Sequence, residues 1–471
     1  MTTEAFDPFA GPQIQLTAPA TEPQREIWAA VQMGSDASCA FNESNRLRFR
    51  GPLDADALRG SVVDLVQRHE ALRTTFSADG TSWVVMASMP FEVPLEDASA
   101  AGLDATLVRE VTEPFDLQRG PLFRARLLRL SPTEHVLVFT AHHIVCDGWS
   151  TAILLKDLAA LYAARVRGSP PNLEAPSRYS EYGRALQAWT QGPEYEAARG
   201  YWNKQFASPP PAQDLPSDRP RPPLKTYRSE RNDYVIPAPL IADVKKMAAK
   251  AGCSFFTALL AGFDVLAARL SGLDDVAIGI PAAGQPTLGL DGVVGHCVNT
   301  VALRNAVSSD ARFVDFMKAV RKTMLDGLQH QQLTFGSLLR ELPLPRDPSR
   351  LPLVSVLFNV DQALAGEALA YEGLEVEFAA NPRHFENFDL FVNAVESKGA
   401  VTLECQFNAD LFDRATIARW MAAYETLLRG AVAQPEQPLS QLPLLPEAEQ
   451  ARMTGWNGTA RAYPKELGVH R

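Results

Sequence analysis

Residues 141–150, Ala-His-His-Ile-Val-Cys-Asp-Gly-Trp-Ser (AHHIVCDGWS), follow directly on His135–Thr140 (HVLVFT). The HVLVFT run is apolar and rich in branched and aromatic side chains, the pattern of a strand covered on both faces. Beyond it Leu154, Leu158, Leu161 and Tyr162 recur at helical spacing, with Ser150 or Thr151 placed to cap the helix. The paired histidines therefore stand where a buried strand crosses into a helix.

Working outward, helical structure is expected to begin near Pro23. Asp54–His69 repeats apolar residues at Leu58, Val62, Leu65 and Val66, so one face of that helix must be buried. A helix from Ser254 turns Phe256, Leu259, Leu260, Phe263, Leu266 and Leu270 inward, and further helices are expected at Ala311–Leu328 and Ala415–Ala433. Strands are expected at Asp233–Ile236, Asp275–Ile280, Leu353–Val360, Leu374–Phe378, Leu390–Ala394 and Val401–Phe407. Helix and strand alternate in both halves, which predicts an α/β chain of two lobes of similar size.

Composition sets the expected boundaries. Residues 1–20 lack periodicity and read as a linker or tail, and 207–226 (ASPPPAQDLPSDRPRPPLKT) is too proline-rich for regular structure. The first lobe is therefore placed at 21–206, the connection at 207–226 and the second lobe at 227–445. Residues 446–471 turn polar and read as the start of a further linker.

A chain of 471 residues, 46% hydrophobic and 21% charged, is an ordinary globular protein too long for one comfortable core. The net charge of -10, without a basic run that could track phosphates, argues against nucleic acid and anionic membrane as partners. The five cysteines are scattered, with no C-x-x-C pair, which points away from disulfides and zinc and toward a reducing cytoplasm. Neither a signal sequence nor an apolar run of membrane length is visible, so the expected location is the cytosol.

The chemistry concentrates in His142, His143, Asp147 and Gly148. A neutral imidazole at the strand end has an ordinary pKa close to working pH and can take a proton from an attacking nucleophile. Asp147 would fix the turn or hold charge nearby, and Gly148 would let backbone approach closely. A bare histidine pair at a strand end more often satisfies backbone groups, but the full HHxxxDG in this setting favours chemistry. A metal site lacks further ligands nearby in sequence. A serine hydrolase lacks the G-x-S-x-G elbow, and no phosphate-cradling glycine loop is present.

HHIVCDGWS resembles the signature of nonribosomal peptide synthetase condensation domains. TEPQREIW (Thr21–Trp28), RHEALRTTF (Arg68–Phe76), RYSEYGRA (Arg178–Ala185), VVGHCVNTVALR (Val293–Arg304), HQQLTF (His330–Phe335) and RDPSRLPL (Arg346–Leu353) are similar to other motifs of that family, in the family's order. The shorter HxxxDG is shared with other thioester-using acyltransferases, but this ordered set is not. Leu72 and Phe76 are read as core rather than site.

The resemblance implies two chloramphenicol-acetyltransferase-like lobes in a V shape around a central tunnel. An upstream donor and a downstream acceptor carrier protein would insert phosphopantetheine arms toward His143, and the domain would bind no cofactor or metal of its own. Crossovers from the second lobe map to Pro281–Asn299 and Asp361–Asn387. Trp149, Ser150, Gln285, Asn299, Arg304 and Asn359 are candidates for the tunnel or its loops. The terminal WNGTARAYP is similar to the start of a linker into an adenylation domain.

That linker disfavours an epimerization domain, which usually follows a carrier. The intact histidines disfavour a heterocyclization domain, which carries Asp there, and an inactive docking scaffold. AFNES (Ala40–Ser44) and NPRHFENFDLFVNA (Asn381–Ala394) are similar to condensation domains that follow polyketide modules or handle modified residues. Some of those are linked to dehydration of a seryl or threonyl residue.

One departure carries its own expectation. The family commonly has Arg after the Gly of a strand-end A-G-R segment, where it pairs with the motif's Asp; here Ala282-Ala283-Gly284-Gln285 stands. Gln285 cannot neutralise Asp147, so the carboxylate is expected to find donors in Gln285, in backbone amides near Gly148, or in another cation such as Arg304.

Overall fold

Short polar side chains set where the helices begin. Thr21 accepts from the Gln24 amide while the Gln24 side chain accepts from the Thr21 amide, a capping box that starts the helix Glu22–Val31. Asp54 caps Ala55–Arg68 and Ser254 caps Phe255–Ser271 more simply, each side-chain oxygen accepting one amide, of Ala57 and of Thr257. The computed structural model describes residues 13–459 apart from 346 and 365.

The first half supplies strands β1 (Ile14–Pro19), β2 (Asn42–Arg50), β3 (Thr74–Phe76), β4 (Ser82–Met86), β5 (Leu95–Asp97), β6 (Phe123–Ser131) and β7 (Glu134–His142). The second supplies β8 (Ser229–Ile236), β9 (Asp275–Ala283), β10 (Val298–Ala306), β11 (Val356–Gln362), β12 (Glu375–Ala380), β13 (Leu390–Ser397) and β14 (Ala400–Asn408). They form sheets ordered β1-β4-β3, β12-β2-β7-β6-β5 and β10-β9-β11-β13-β14-β8. Strand β7 lies between β2 and β6, and every residue from His135 to His142 is buried, as its unbroken apolar run predicts.

Two large apolar clusters underlie the two halves. One gathers Leu58, Val62, Leu72, Phe76, Leu154 and Leu158 with strands β2, β6 and β7; the other gathers Leu259, Phe263, Phe358, Leu403 and Tyr424. Their membership corrects the expected boundary. Leu186 belongs to the first core, but Ala198, Trp202 and Phe206 already belong to the second, with Trp189 packed against both. The changeover thus precedes the proline-rich segment. Residues 207–226 instead run irregularly over the second half, where Arg221 pairs with Asp389 at 2.7 Å and Gln213 accepts the Ala277 amide at 3.2 Å. Proline removed the regular structure without removing the packing.

The tail expected at 1–20 is corrected where it is described, residues 1–12 lying outside the described residues. Residues 14–19 form β1, which pairs antiparallel with β4 and accepts the Trp83 indole N–H at the Pro19 carbonyl. Glu447–Asn457 is helical, and most of WNGTARAYP lies outside the described residues. Among the described residues no single helix is long and apolar enough to cross a membrane.

Within the segments expected to cross, the second half reaches over to the first through strand β12 and through the loop after β9. Strand β12 adds to the first sheet by pairing with β2, Val376 opposite Phe49. The loop after β9 places Val293, Val294 and Cys297 in the first core. At Gly295 a Cβ would fall 2.0 Å from the Tyr179 ring, so only glycine allows this loop to lie against the first half. Tyr179 fastens the loop by donating to the His296 carbonyl at 2.9 Å.

Candidate active site

Strand β7 delivers the histidines. Its pairing continues into the motif, because the His142 amide donates to Leu122 O at 2.9 Å and the His143 amide to Phe41 O at 2.8 Å. The chain then turns and enters the helix Gly148–Arg167. The cap is Asp147, one turn earlier than the expected Ser150 or Thr151: its Oδ1 accepts the Ser150 amide at 2.8 Å. Gly148 begins the helix, and a Cβ there would meet nothing within 4 Å, so the close approach expected at this glycine does not occur.

Asp147 is buried and fully engaged. Besides the Ser150 amide, Oδ1 receives the Ser150 hydroxyl at 2.7 Å, and Oδ2 receives the Cys297 amide at 2.9 Å. Gln285, itself wholly buried, donates Nε2 to both oxygens. Neutral donors therefore replace the cation that the family places here, and they tie the motif to the loop of the second half. Arg304, the alternative partner, is taken by Asp275 at 2.6 and 2.9 Å. Both lie on the β9–β10 hairpin, where a near neighbour outcompetes a distant carboxylate.

The two histidines have opposite environments. His142 is fully buried between the rings of Phe41 and Phe115, and its Nδ1 accepts the Ile144 amide at 3.2 Å. Burial, reinforced by the charges of His143 and Arg124, pushes its pKa down to about 3, so the ring is neutral. His143 faces a more open space. Its Nδ1 lies 2.7 Å from the Cys146 carbonyl, which can only accept, so Nδ1 carries a hydrogen, and in the neutral ring the lone pair is on Nε2.

Three residues that the sequence reading does not single out complete the surroundings of His143. His296 stands edge-on to it, ring centroids 4.9 Å apart, and is held neutral by burial and by the neighbouring histidines. Glu43, on β2, brings Oε1 to 3.6 Å from His143 Nε2; the two side chains are 21% and 22% exposed. Arg383 donates to Glu43 at 2.5 Å and to Glu386 at 3.0 Å. Burial raises the Glu43 pKa, but Arg383 and then His143 outweigh it and hold the carboxyl below its usual range. Arg383 in turn is raised, its two carboxylate partners overcoming the burial that opposes them. AFNES and NPRHFENFDLFVNA thus meet beside His143, with Asn381 also bonded to Ser44 at 2.9 Å.

The other candidates fall at varied distances from this chemistry. Ser150 is buried and knits Asp147 to Gly295, whose amide donates to its oxygen at 3.0 Å. Trp149 is exposed at the surface and donates to Asp291 O at 2.9 Å. Asn299 is a brace for the HQQLTF segment, donating to Gln331 O and Leu333 O and accepting the Phe335 amide. Asn359, on β11, donates to Asn393 of β13 at 3.0 Å. Among the described residues no group of three or more His, Cys, Asp and Glu is placed to hold a metal ion.

Two joined α/β halves, a strand-to-helix HHxxxDG turn and a loop from one half sealing the other define the condensation class of fold. The family model described as Condensation domain matches residues 14–454, and the chain belongs to that family. Members of the family are amide-forming acyltransferases of nonribosomal peptide synthetases. A linear gramicidin synthase of Brevibacillus parabrevis is 33% identical over 462 residues, covering 95% of this chain and 6% of that protein. A chondramide synthase of Chondromyces crocatus is 34% identical over 463 residues, covering 96% and 12%. This chain therefore spans a small fraction of the curated relatives it matches. Among solved structures, the complex of the X-domain and OxyB from teicoplanin biosynthesis superposes with a TM-score of 0.82 at 25% identity, covering 95% of this chain and 99% of that one.

Proposed function

We propose that this domain forms an amide bond between two groups held as thioesters on carrier proteins. The acceptor's amine attacks the donor's thioester carbonyl; a C–N bond forms, the C–S bond breaks, and the donor's phosphopantetheine thiol leaves with a proton. The observation that carries this reading is the orientation of His143, whose Nδ1 is committed to Cys146 O, so that in the neutral ring Nε2 offers its lone pair from a partly exposed position. That nitrogen can accept the amine's proton or hold the amine in line. Holding both thioesters in one passage between the lobes would remove up to ~7–11 kcal/mol of entropic barrier. The reading includes an upstream and a downstream carrier, an adjacent adenylation domain and no metal or soluble cofactor bound by this domain.

The test is to incubate the domain with a donor-loaded and an acceptor-loaded carrier protein and to follow the amide product on the acceptor by mass spectrometry. Product formation that survives prolonged chelation and is lost in His143→Ala supports the reading; product formed at the same rate without the domain overturns it.

A further inference from the structure

We propose that Glu43 and His143 together form the seat of the acceptor's α-ammonium, with Arg383 as the clamp that orients the Glu43 carboxylate. This inference rests on the reading of the domain as an amide-forming enzyme and names a residue that reading does not require. The geometry carries it. With Nδ1–H pointing at Cys146 O, Nε2 of the neutral His143 ring is an acceptor, and the Glu43 carboxylate is an acceptor too. Two acceptors converge at 3.6 Å on a half-exposed space, an arrangement satisfied by one group that donates to both. At the reacting centre the donor acyl thioester has no N–H or O–H to give. The acceptor's α-ammonium has three donors.

Glu43 and Glu386 share the guanidinium of Arg383, and the Lys225 ammonium also acts on Glu386, so the negative charge placed against His143 is the Glu43 carboxylate. The clamp is itself fixed: Glu386 is buried and its other oxygen accepts the Asn387 amide at 2.7 Å. Arg383 engages the same Glu43 oxygen that faces Nε2, which holds that oxygen in position. The ammonium would bind across Nε2 and Glu43, pass one proton by way of Nε2 to solvent, and attack as the neutral amine; as the C–N bond forms and the C–S bond breaks, the nitrogen gives up a second proton, which Nε2 relays to the departing thiolate.

The experiment uses two probes that differ only in this group: alanyl-aminopantetheine, an amide analogue of an acceptor thioester, and propionyl-aminopantetheine, which lacks the ammonium. Calorimetric titration of the domain at neutral pH is expected to show the alanyl probe bound about tenfold or more tighter, as a charge-assisted bond gives. In Glu43→Gln, which keeps the shape and removes the charge, that preference is expected to collapse through weaker alanyl binding, with propionyl binding unchanged. Equal binding of the two probes by the wild type overturns the assignment without any variant, and so does a preference that persists in Glu43→Gln. Binding of neither probe overturns both this assignment and the acceptor side of the proposed function. Equal binding alongside intact carrier-to-carrier transfer overturns the Glu43 seat alone.

Discussion

Gln285 donates its side-chain amide to both oxygens of Asp147, at 3.1 and 3.3 Å, across 138 positions of sequence. The pair joins the helix cap beside the paired histidines to the loop arriving from the second half. A carboxylate buried at this depth is tolerable because Ser150 and Cys297 supply further donors. With Asp147 1% exposed, a role in organising the turn that carries His143 is expected, rather than proton exchange with substrate.

Asp147→Ala is accordingly expected to lower stability along with transfer. It strands the Ser150, Cys297 and Gln285 donors at once, a loss of about 3–5 kcal/mol after partial relaxation. Gln285→Ala removes one of several donors and is expected to cost less. Thermal melts of the two purified variants check the ranking; an Asp147→Ala protein as stable as wild type but inactive in transfer would assign Asp147 a direct chemical role.

His142 and His143 are expected to separate cleanly in the same assays. His143→Ala removes a half-exposed ring and is expected to reduce carrier-to-carrier transfer by about 10²–10⁴-fold with little change in melting temperature. His142→Ala empties a site between Phe41 and Phe115 and is expected to cost about 2–4 kcal/mol of stability, with activity falling only as the fold loosens. Equal melting temperatures for the two variants would contradict their different burial.

Much of the strand-to-helix turn was legible because its signals are local. The apolar run of β7 and the helical spacing after it place the paired histidines at the turn, while the choice of His143 and the Asp147–Gln285 contact follow from the family resemblance, joined to the demand of a buried carboxylate for donors. Glu43, Arg383 and His296 were not legible as site residues. Glu43 and Arg383 meet because β12 pairs with β2, a contact between distant segments that no periodicity encodes. The VVGHCVNT stretch stands out as a motif, but its histidine gains meaning only when the loop folds against Tyr179. Arg304 misled because the competing Asp275 sits on the adjacent strand. The tail and the proline-rich segment misled for a different reason: lack of apolar periodicity does not prevent β1 from pairing or residues 207–226 from packing.

Acid is expected to destabilise the fold through His142. Its folded pKa of about 3 lies below the ordinary value of 6.5, so the unfolded chain takes up the proton first as pH falls. The stability conferred by the neutral ring is complete above about 6.5 and is lost progressively down toward 3. His142→Asn, whose side-chain oxygen can accept the Ile144 amide without titrating there, is expected to lose less stability than wild type between neutral pH and pH about 5. Parallel denaturation curves at the two pH values decide this; an identical loss in both proteins would remove His142 as a cause.

Glu26 should act with the opposite sign, at the junction of the two halves. It lies on the helix Glu22–Val31, accepts the Thr334 hydroxyl at 2.6 Å, and neighbours the Glu22–Arg340 ion pair that also crosses between them. Burial, with the nearby Glu22, raises its pKa from 4.5 to about 7, outweighing the Thr334 and Gly336 hydrogen bonds and the Arg340 charge that pull it down. A carboxyl with a raised folded pKa holds its proton longer in the folded chain. The stabilisation it gives is therefore complete below about 4.5 and is lost as pH rises through about 7. Glu26→Gln keeps an oxygen for Thr334 and cannot ionise, so the variant is expected to gain on wild type as pH rises, by about 2 kcal/mol between pH about 5 and about 8. Denaturant melts of both proteins across that range give the difference directly. A stability difference that stays constant with pH would show that Glu26 ionises freely, and that the contact between Glu22–Val31 and the Thr334 turn does not shield it from water.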